Sequence, residues 1–155
     1  MDQVTYKWTD ADNADFKRFY LITEEYYDNL VGGNRNRSGF APYNLSDSIQ
    51  YVLIACANGT AVACAGLKRY SETDAEIKRV WVEPEYRGRH IACAMMDLIE
   101  EKAVHCGFER TVLQTREKMT AAVSLYKNRG YYLIDNYPPY DMLDGAICFA
   151  KDLIR

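Results

Sequence analysis

A strand, a short basic loop and the start of a helix follow one another in Val80-Trp81-Val82-Glu83-Pro84-Glu85-Tyr86-Arg87-Gly88-Arg89-His90-Ile91-Ala92. The strand is apolar and ends before a proline, and an amphipathic helical pattern runs on from the loop. The first turn of a helix has unpaired backbone N–H groups and the positive end of the helix dipole. Two arginines beside such a turn favour a ligand that carries phosphate groups. The stretch therefore predicts an anion-binding site between a strand and a helix.

The composition is that of a folded globular protein. The chain has 155 residues, of which 48% are hydrophobic and 26% charged, so we expect one domain spanning residues 1–155. A net charge of −3 gives no support for a nucleic-acid partner. The one local concentration of basic residues coincides with the predicted anion site and consists of Lys78, Arg79, Arg87 and Arg89.

The cysteines and the apolar segments bear on metal binding and on location. Five cysteines form no C-x-x-C pair and no metal-ligand spacing, so we predict no metal site and reduced thiols in the core. The N-terminus, Met1-Asp2-Gln3-Val4, has neither the basic flank nor the apolar segment of a signal peptide. The apolar run from Tyr51 to Ala57 is far too short to span a membrane. We therefore expect a cytoplasmic protein with no membrane partner.

Hydrophobic periodicity predicts the order of the secondary-structure elements. Helical patterns cover residues 10–30, 45–50, 90–105 and 120–129, and strand patterns cover 3–8, 51–57, 60–69, 75–82, 111–115, 131–136 and 146–153. Asn58-Gly59 between two strands is a strong hairpin signal because both residues tolerate positive φ. The order β-α-α-β-β-β-α-β-α-β-β predicts a mixed α/β (α+β) domain that contains a meander of three antiparallel strands.

Two motifs carry a resemblance to a known family. Arg87-Gly88-Arg89-His90-Ile91-Ala92 resembles the acyl-CoA-binding motif of the GCN5-related N-acetyltransferases (GNAT), Arg/Gln-x-x-Gly-x-Gly/Ala after a strand. The segment Ala122-Val123-Ser124-Leu125-Tyr126-Lys127-Asn128-Arg129-Gly130-Tyr131 is similar to their second motif, Ala-x-x-Leu-Tyr-x-x-x-Gly-Phe/Tyr. The C-terminal part of the chain resembles one branch of the family, whose members are mostly taken for small-molecule acetyltransferases. The segments that carry this resemblance are Ile134-Asp135-Asn136-Tyr137-Pro138-Pro139-Tyr140 and Cys148-Phe149-Ala150-Lys151. The resemblance implies a GNAT-like, mostly antiparallel central sheet flanked by helices.

The resemblance also implies acetyl-CoA as cosubstrate. The strand before the loop would diverge from the next strand, so that the pantetheine arm pairs with the backbone of Val80, Trp81 and Val82. The pyrophosphate would bind the backbone amides of Arg87, Gly88, Arg89, His90, Ile91 and Ala92. His90 stands at the position where the first motif has the glycine before its final Gly/Ala, and Met119 stands where the second motif often has asparagine. Whether these two departures weaken CoA binding stays open at this point.

Two residues match catalytic positions of the family. Tyr126 resembles the tyrosine that protonates the departing thiolate, which a phenol with a pKa of about 10 can do at neutral pH. Glu76 lies where some relatives have a base that acts through water. A carboxylate with a pKa of about 4.3 cannot deprotonate an alkylammonium of about 10.4 directly, so a water chain or a less basic acceptor is needed. The alternatives are a core tyrosine and a solvated or lysine-paired glutamate.

Tyrosine-rich loops predict where the acceptor binds. Tyr137 and Tyr140, together with Tyr43 from the segment at 40–44, would form the walls of a pocket for a small amphipathic amine. Simple packing is the alternative for all three.

No cysteine occupies a nucleophile position, so we expect direct transfer to a small primary amine in a ternary complex. The alternatives are acetylation of a protein lysine or N-terminus, and a CoA-binding module without catalysis. The oligomeric state, a homodimer included, stays open.

Overall fold

The computed structural model describes residues 3–31 and 49–153. Within these ranges three α-helices pack on a seven-stranded sheet. The strands are β1 (Val4–Thr9), β2 (Tyr51–Ala57), β3 (Thr60–Arg69), β4 (Asp74–Val82), β5 (Arg110–Arg116), β6 (Tyr132–Ile134) and β7 (Ala146–Asp152). The helices are α1 (Ala14–Val31), α2 (Ile91–His105) and α3 (Thr120–Asn128), and a 3₁₀ turn covers Pro84–Tyr86. The short helix predicted over 45–50 lies mostly outside the described residues, and positions 49 and 50 are not helical.

The strands form one sheet in the order β1-β2-β3-β4-β5-β7-β6. Each neighbouring pair is antiparallel except β4 and β5, which run parallel. The predicted meander of β2, β3 and β4 is present, and its first turn has positive φ at Asn58 and Gly59, 52° and 83°. The predicted mixed, mostly antiparallel sheet is confirmed.

Both faces of the sheet are covered by helices. Ile91, Met95 and Ile99 of α2 pack in one core with Leu53 of β2, and Phe16 of α1 packs in a second core on the opposite face. The side chains of β2 alternate between these two cores. This explains its continuous apolar sequence, because a strand buried on both faces has no polar side.

The helix ends depend on local hydrogen bonds. The α1 helix begins at Ala14 and not at residue 10 as predicted, because Asn13 Oδ1 accepts a hydrogen bond from the Phe16 amide at 3.0 Å and so caps the helix. Gly107, with φ 88°, ends α2, and the Phe108 amide donates to the Ala103 carbonyl at 3.0 Å. In the described residues, no helix has the length and apolarity needed to cross a membrane.

All five cysteines are free thiols, as predicted. Cys64 and Cys148 are buried, whereas Cys56, Cys93 and Cys106 are half-buried. The expectation that the cysteines lie in the core is therefore met by Cys64 and Cys148, and only in part by the other three. Burial raises the pKa of the Cys64 thiol to about 12, so that it stays protonated near neutral pH.

Candidate functional site

An irregularity in β4 places the residues around the site. Cys64 of β3 pairs with Trp81, but Gly66, two residues on, pairs with Lys78, so β4 contains one extra residue at this point. Arg79 within this bulge has φ 59°. As a result, Lys78 and Arg79 both extend toward the α1 face: Lys78 reaches Tyr140, and the Arg79 guanidinium donates to Glu24 of α1 at 2.6 Å.

The parallel strands β4 and β5 separate just before the bulge. They pair only through residues 74–76 and 110–112, and beyond Glu76 no described residue of β5 pairs with β4. On that side, the backbone at the end of β4 therefore has no strand partner among residues 3–31 and 49–153. Since buried backbone groups are nearly always hydrogen-bonded, this edge is suited to pairing with an extended ligand.

A cavity of about 650 Å³ opens beside the end of β4. It is bounded by the loop and first turn of α2, by the beginning of α3 and by Tyr26 of α1. Eight of the nine residues predicted to bind the cofactor line it, namely Val80, Trp81, Val82, Arg87, Gly88, His90, Ile91 and Ala92. The ninth, Arg89, lies outside the lining, with its guanidinium 4.8 Å from the Tyr86 ring centroid.

The first turn of α2 borders this cavity through Ile91, Ala92 and Cys93. His90 is the N-cap residue, and its side chain makes no capping hydrogen bond. Its backbone carbonyl accepts from the Ala94 amide at 3.1 Å, so the amides of residues 91–93 precede the first intrahelical bond. The amino end of α2 therefore has backbone amides without a partner inside the helix, and anion binding by them stays a prediction.

His90 adopts the left-handed conformation, with φ 64° and ψ 17°. This is the backbone geometry that glycine adopts without steric cost, and the family motif has glycine at this position. A side chain there costs roughly 1–2 kcal/mol. The histidine therefore occupies a backbone conformation that suits glycine and adds conformational strain to the loop.

We expect His90→Gly to raise the free energy of unfolding by about 1 kcal/mol, because it removes this strain at some cost in backbone entropy. The affinity for acetyl-CoA should stay equal or increase, since a bare backbone approaches phosphate more closely. Urea unfolding and calorimetric titration measure the two effects. A sharp loss of affinity would show instead that the imidazole is a ligand.

Met119 lies at the beginning of α3 and lines the cavity. It is the N-cap residue of α3 and makes no side-chain capping bond. An asparagine there would supply a side-chain acceptor to the helix amides. The second departure from the family motif thus removes a polar group from the cavity wall.

Tyr126 is a buried residue of α3. Its side chain is 7% exposed, and its ring centroid lies 5.9 Å from that of Tyr131 and 6.4 Å from that of Phe149. The preceding residue, Leu125, lines the cavity, whereas Tyr126 is not among the lining residues. Tyr126 thus follows a cavity-lining residue in the chain but does not itself line the cavity, and its catalytic role stays a prediction.

Glu76 belongs to a buried polar cluster on the α1 face of the sheet. It is 4% exposed, and its Oε2 accepts a hydrogen bond from the Tyr137 hydroxyl at 2.8 Å. Lys78 Nζ donates to the Tyr140 hydroxyl at 3.1 Å. Burial and the nearby Glu76 carboxylate raise the pKa of both Tyr137 and Tyr140, so the two phenols stay protonated. Glu76, Tyr137 and Tyr140, predicted separately, are therefore brought together.

These residues differ from the prediction in their surroundings. Tyr137 and Tyr140 are not among the residues that line the 650 Å³ cavity, and Tyr140 is only 2% exposed. Tyr43, the third residue predicted to bind the acceptor, lies outside the described residues. An acceptor-binding role for the three tyrosines stays a prediction.

Sequence reasoning missed Lys78 as a member of this cluster. Burial lowers the pKa of its ammonium group to about 8, although Glu76 acts in the opposite direction. The spacing of Glu76 and Lys78 was a usable signal, because residues two apart in a strand point to the same face. Tyr26 and Lys118, which line the cavity, had no such signal.

Comparisons with known proteins agree with this geometry. Residues 5–131 match the Acetyltransferase (GNAT) family. The IAA acetyltransferase of Azospirillum brasilense is 29% identical over 89 residues, and that match spans 57% of this chain and only 58% of the relative. A Klebsiella pneumoniae structure assigned as an acyl-CoA N-acyltransferase superposes with a TM-score of 0.79 at 21% identity, over 99% of both chains.

A third comparison concerns the ligand. The crystal structure of a GNAT family acetyltransferase from Elizabethkingia anophelis, which contains bound acetyl-CoA, has a TM-score of 0.69 and 18% identity. It covers 99% of this chain and 100% of that one. At these identities the structural matches show the fold, whereas the family match extends over most of the sequence and includes the loop and α2. The chain therefore belongs to the GNAT family of acetyltransferases.

Proposed function

We propose that this chain transfers an acetyl group from acetyl-CoA directly to the primary amine of a small molecule. The observation that carries the proposal is the separation of β4 from β5 beside a cavity that ends on the first turn of α2. An unpaired strand edge can pair with the amides of an extended arm, and a helix first turn can bind pyrophosphate. Acetyl-CoA carries both groups on one molecule.

The residues around the cavity fit this cosubstrate. Its volume of about 650 Å³ lies in the range of ordinary ligand sites. Lys118, an exposed cation, lies on its lining and favours a polyanion. The backbone of Val80 to Val82 would hold the pantetheine amides, and the amides of the loop and of α2 would hold the pyrophosphate.

The reaction requires three contributions from the protein. Acetyl-CoA supplies the acetyl group as a thioester, and the amine nitrogen forms the C–N bond as the C–S bond breaks, which gives an amide and the CoA thiol. The backbone N–H near Val80 polarises the carbonyl oxygen. Tyr126 gives its proton to the sulfur, and Glu76 takes a proton from the acceptor ammonium through water.

The Glu76 cluster supports the last of these roles. Glu76 is held by the hydroxyl of Tyr137 on the face of β4 that points toward α1. Its neighbour Lys78 is a half-buried cation whose pKa burial lowers to about 8, so a second titratable group lies beside the carboxylate. The amine would approach from this face and meet the carboxylate through a water molecule.

We expect Glu76→Gln to lower kcat about 100-fold at pH 7, with a deficit that shrinks as the pH approaches the pKa of the acceptor amine. A base is no longer needed once the amine is neutral, and glutamine can still accept the hydrogen bond from Tyr137. A pH–rate profile from pH 6.5 to 10 measures this. A deficit that is constant over the whole range would assign Glu76 a structural role.

A thiol-release assay tests the proposed function itself. Acetyl-CoA is offered with amino acids, polyamines, aminoglycosides and peptides, and we expect release with a small amine. Release with peptides alone would indicate a protein acceptor. Acetyl-CoA binding without release over the whole panel would indicate a binding module, and no acetyl-CoA binding at all would overturn the proposal.

A further inference from the structure

One buried donor in the cavity has no role in the reaction described above. Trp81 is 6% exposed and lines the cavity, and its indole Nε1 has no hydrogen-bond partner among the described residues. Leaving a buried donor unpaired costs about 1–3 kcal/mol, and most buried polar groups in proteins are paired. An acceptor atom on a ligand would satisfy this N–H.

A cation lies directly beside this indole. The guanidinium carbon of Arg87 is 4.8 Å from the Trp81 ring centroid and 5.9 Å from that of Tyr26. Arg87 Nε donates to the Val82 carbonyl at 2.9 Å, which fixes the direction of the side chain. In the described part of the chain, no carboxylate forms an ion pair with Arg87. The indole N–H of Trp81 thus lies beside the guanidinium of Arg87, which has no carboxylate partner among the described residues. A neutral donor next to a cation is suited to binding an anionic oxygen.

The position of the indole favours one source for that oxygen. Trp81 packs in the core that contains Phe16 and Phe19 of α1. The ring of Tyr26, also on α1, packs edge-on against the indole, with 5.2 Å between the ring centroids. The first turn of α2, where the pyrophosphate would bind, belongs to the opposite face of the sheet. Glu76 lies on the same face as the indole. The indole is thus on the side from which the acceptor would approach.

We propose that Trp81 Nε1 and the Arg87 guanidinium bind a carboxylate of the acceptor, so that the acceptor is an amino acid or another amine that carries a carboxylate. This inference rests on the proposed function and narrows its substrate class. The bond to Nε1 fixes the orientation of the carboxylate, and the guanidinium selects it over a neutral carbonyl. The edge-on contact of Tyr26 with Trp81 and the contacts of the guanidinium with both rings hold the two donors in place.

The two tryptophans of the chain make a direct test feasible. Protein labelled with ¹⁵N shows two indole N–H resonances, which a Trp8→Phe variant assigns, and Trp8 on β1 is 36% exposed and serves as the internal control. Amino acids are titrated into the CoA-saturated protein and compared with the matching amines that lack the carboxylate. We expect the Trp81 N–H resonance alone to move downfield, and only with the amino acids.

Kinetics of two variants give a second measurement. Trp81→Phe keeps an aromatic ring and loses the donor, and we expect it to raise KM for the amino acid about tenfold more than it raises KM for the matched amine. Arg87 is exposed, so Arg87→Gln tests the same selectivity with little risk to folding. Both are assayed at saturating acetyl-CoA, whose Kd is determined separately for each variant.

The outcomes separate this inference from the proposed function. A Trp81 resonance that responds to CoA alone, or equally to amines without a carboxylate, would overturn the carboxylate site. Equal changes in KM for the amino acid and the amine would overturn it as well. A selective response to amino acids without any thiol release would leave the site standing and would overturn the transfer reaction.

Discussion

Replacing Ala92 with glutamate is expected to raise the Kd for acetyl-CoA about 100-fold. Ala92 is the second residue of α2 and lines the cavity beside the amides that would hold the pyrophosphate. A carboxylate about 6 Å from one phosphate charge costs ~3 kcal/mol at an effective dielectric constant of 20, and each 1.4 kcal/mol is a factor of ten in Kd. Calorimetric titration at low ionic strength measures the loss.

Folding should tolerate this substitution. Ala92 is only half-buried, and an acidic residue in the first turn of a helix interacts favourably with the helix dipole. The thermal midpoint should therefore stay the same or rise slightly. A loss of affinity in Ala92→Glu would then reflect the site and not the fold.

The matched control is Ala92→Gln, which has the same size without the charge. We expect it to raise Kd less than tenfold. Added salt should reduce the difference between the two variants, since screening weakens the repulsion of exposed charges. Equal losses in both would mean that the side chain blocks the cavity sterically, and no loss in either would place the pyrophosphate away from α2.

Replacing Tyr126 with phenylalanine is expected to lower kcat about 100-fold near pH 7, within the usual effect of a general acid. The phenol would no longer protonate the departing thiolate. The deficit should shrink above about pH 8.5, where a thiolate leaves without a proton. Stopped-flow thiol detection gives kcat, and titration should show an unchanged Kd for acetyl-CoA.

Tyr131→Phe is the matched control, because its ring is a neighbour of Tyr126. The Tyr131 hydroxyl donates to Glu100 at 3.1 Å and lies 2.8 Å from Thr111 Oγ1, so its role is structural. We expect this variant to lose about 1–2 kcal/mol of stability and to keep its kcat. If Tyr126→Phe kept full turnover and lost stability, the role of Tyr126 would be packing in the core. This is the alternative reading, and it agrees with the 7% exposure of the residue.

Local sequence signals predicted most elements of the fold. The Asn58-Gly59 hairpin and the apolar spacing of α2 rest on interactions a few residues apart, and both are present as predicted. Boundaries were less accurate where a local hydrogen bond sets the end of an element. Asn13 delays the beginning of α1, and the strand predicted over 131–136 begins at 132 because the Tyr131 amide donates to the Tyr126 carbonyl at 3.0 Å at the end of α3.

The motifs indicated the cavity-lining residues well, since the loop and the start of α2 form one continuous stretch of chain. The cluster of Glu76, Tyr137, Tyr140 and Lys78 was predicted only in part. It joins residues about 60 positions apart, so no periodicity connects Lys78 to Tyr140. The left-handed backbone of His90 likewise appears only in the folded loop.

The sequence alone determined the order of the elements and the residues of the basic loop, because both follow from short-range pattern and turn chemistry. The tertiary structure decided where the functional groups meet. One extra residue in β4 sends Lys78 and Arg79 to the same face, and the separation from β5 leaves the strand edge unpaired. The Arg87 guanidinium lies over the Trp81 ring, which in turn packs against Tyr26 of α1. These contacts join residues far apart in the chain, so no local pattern predicts them.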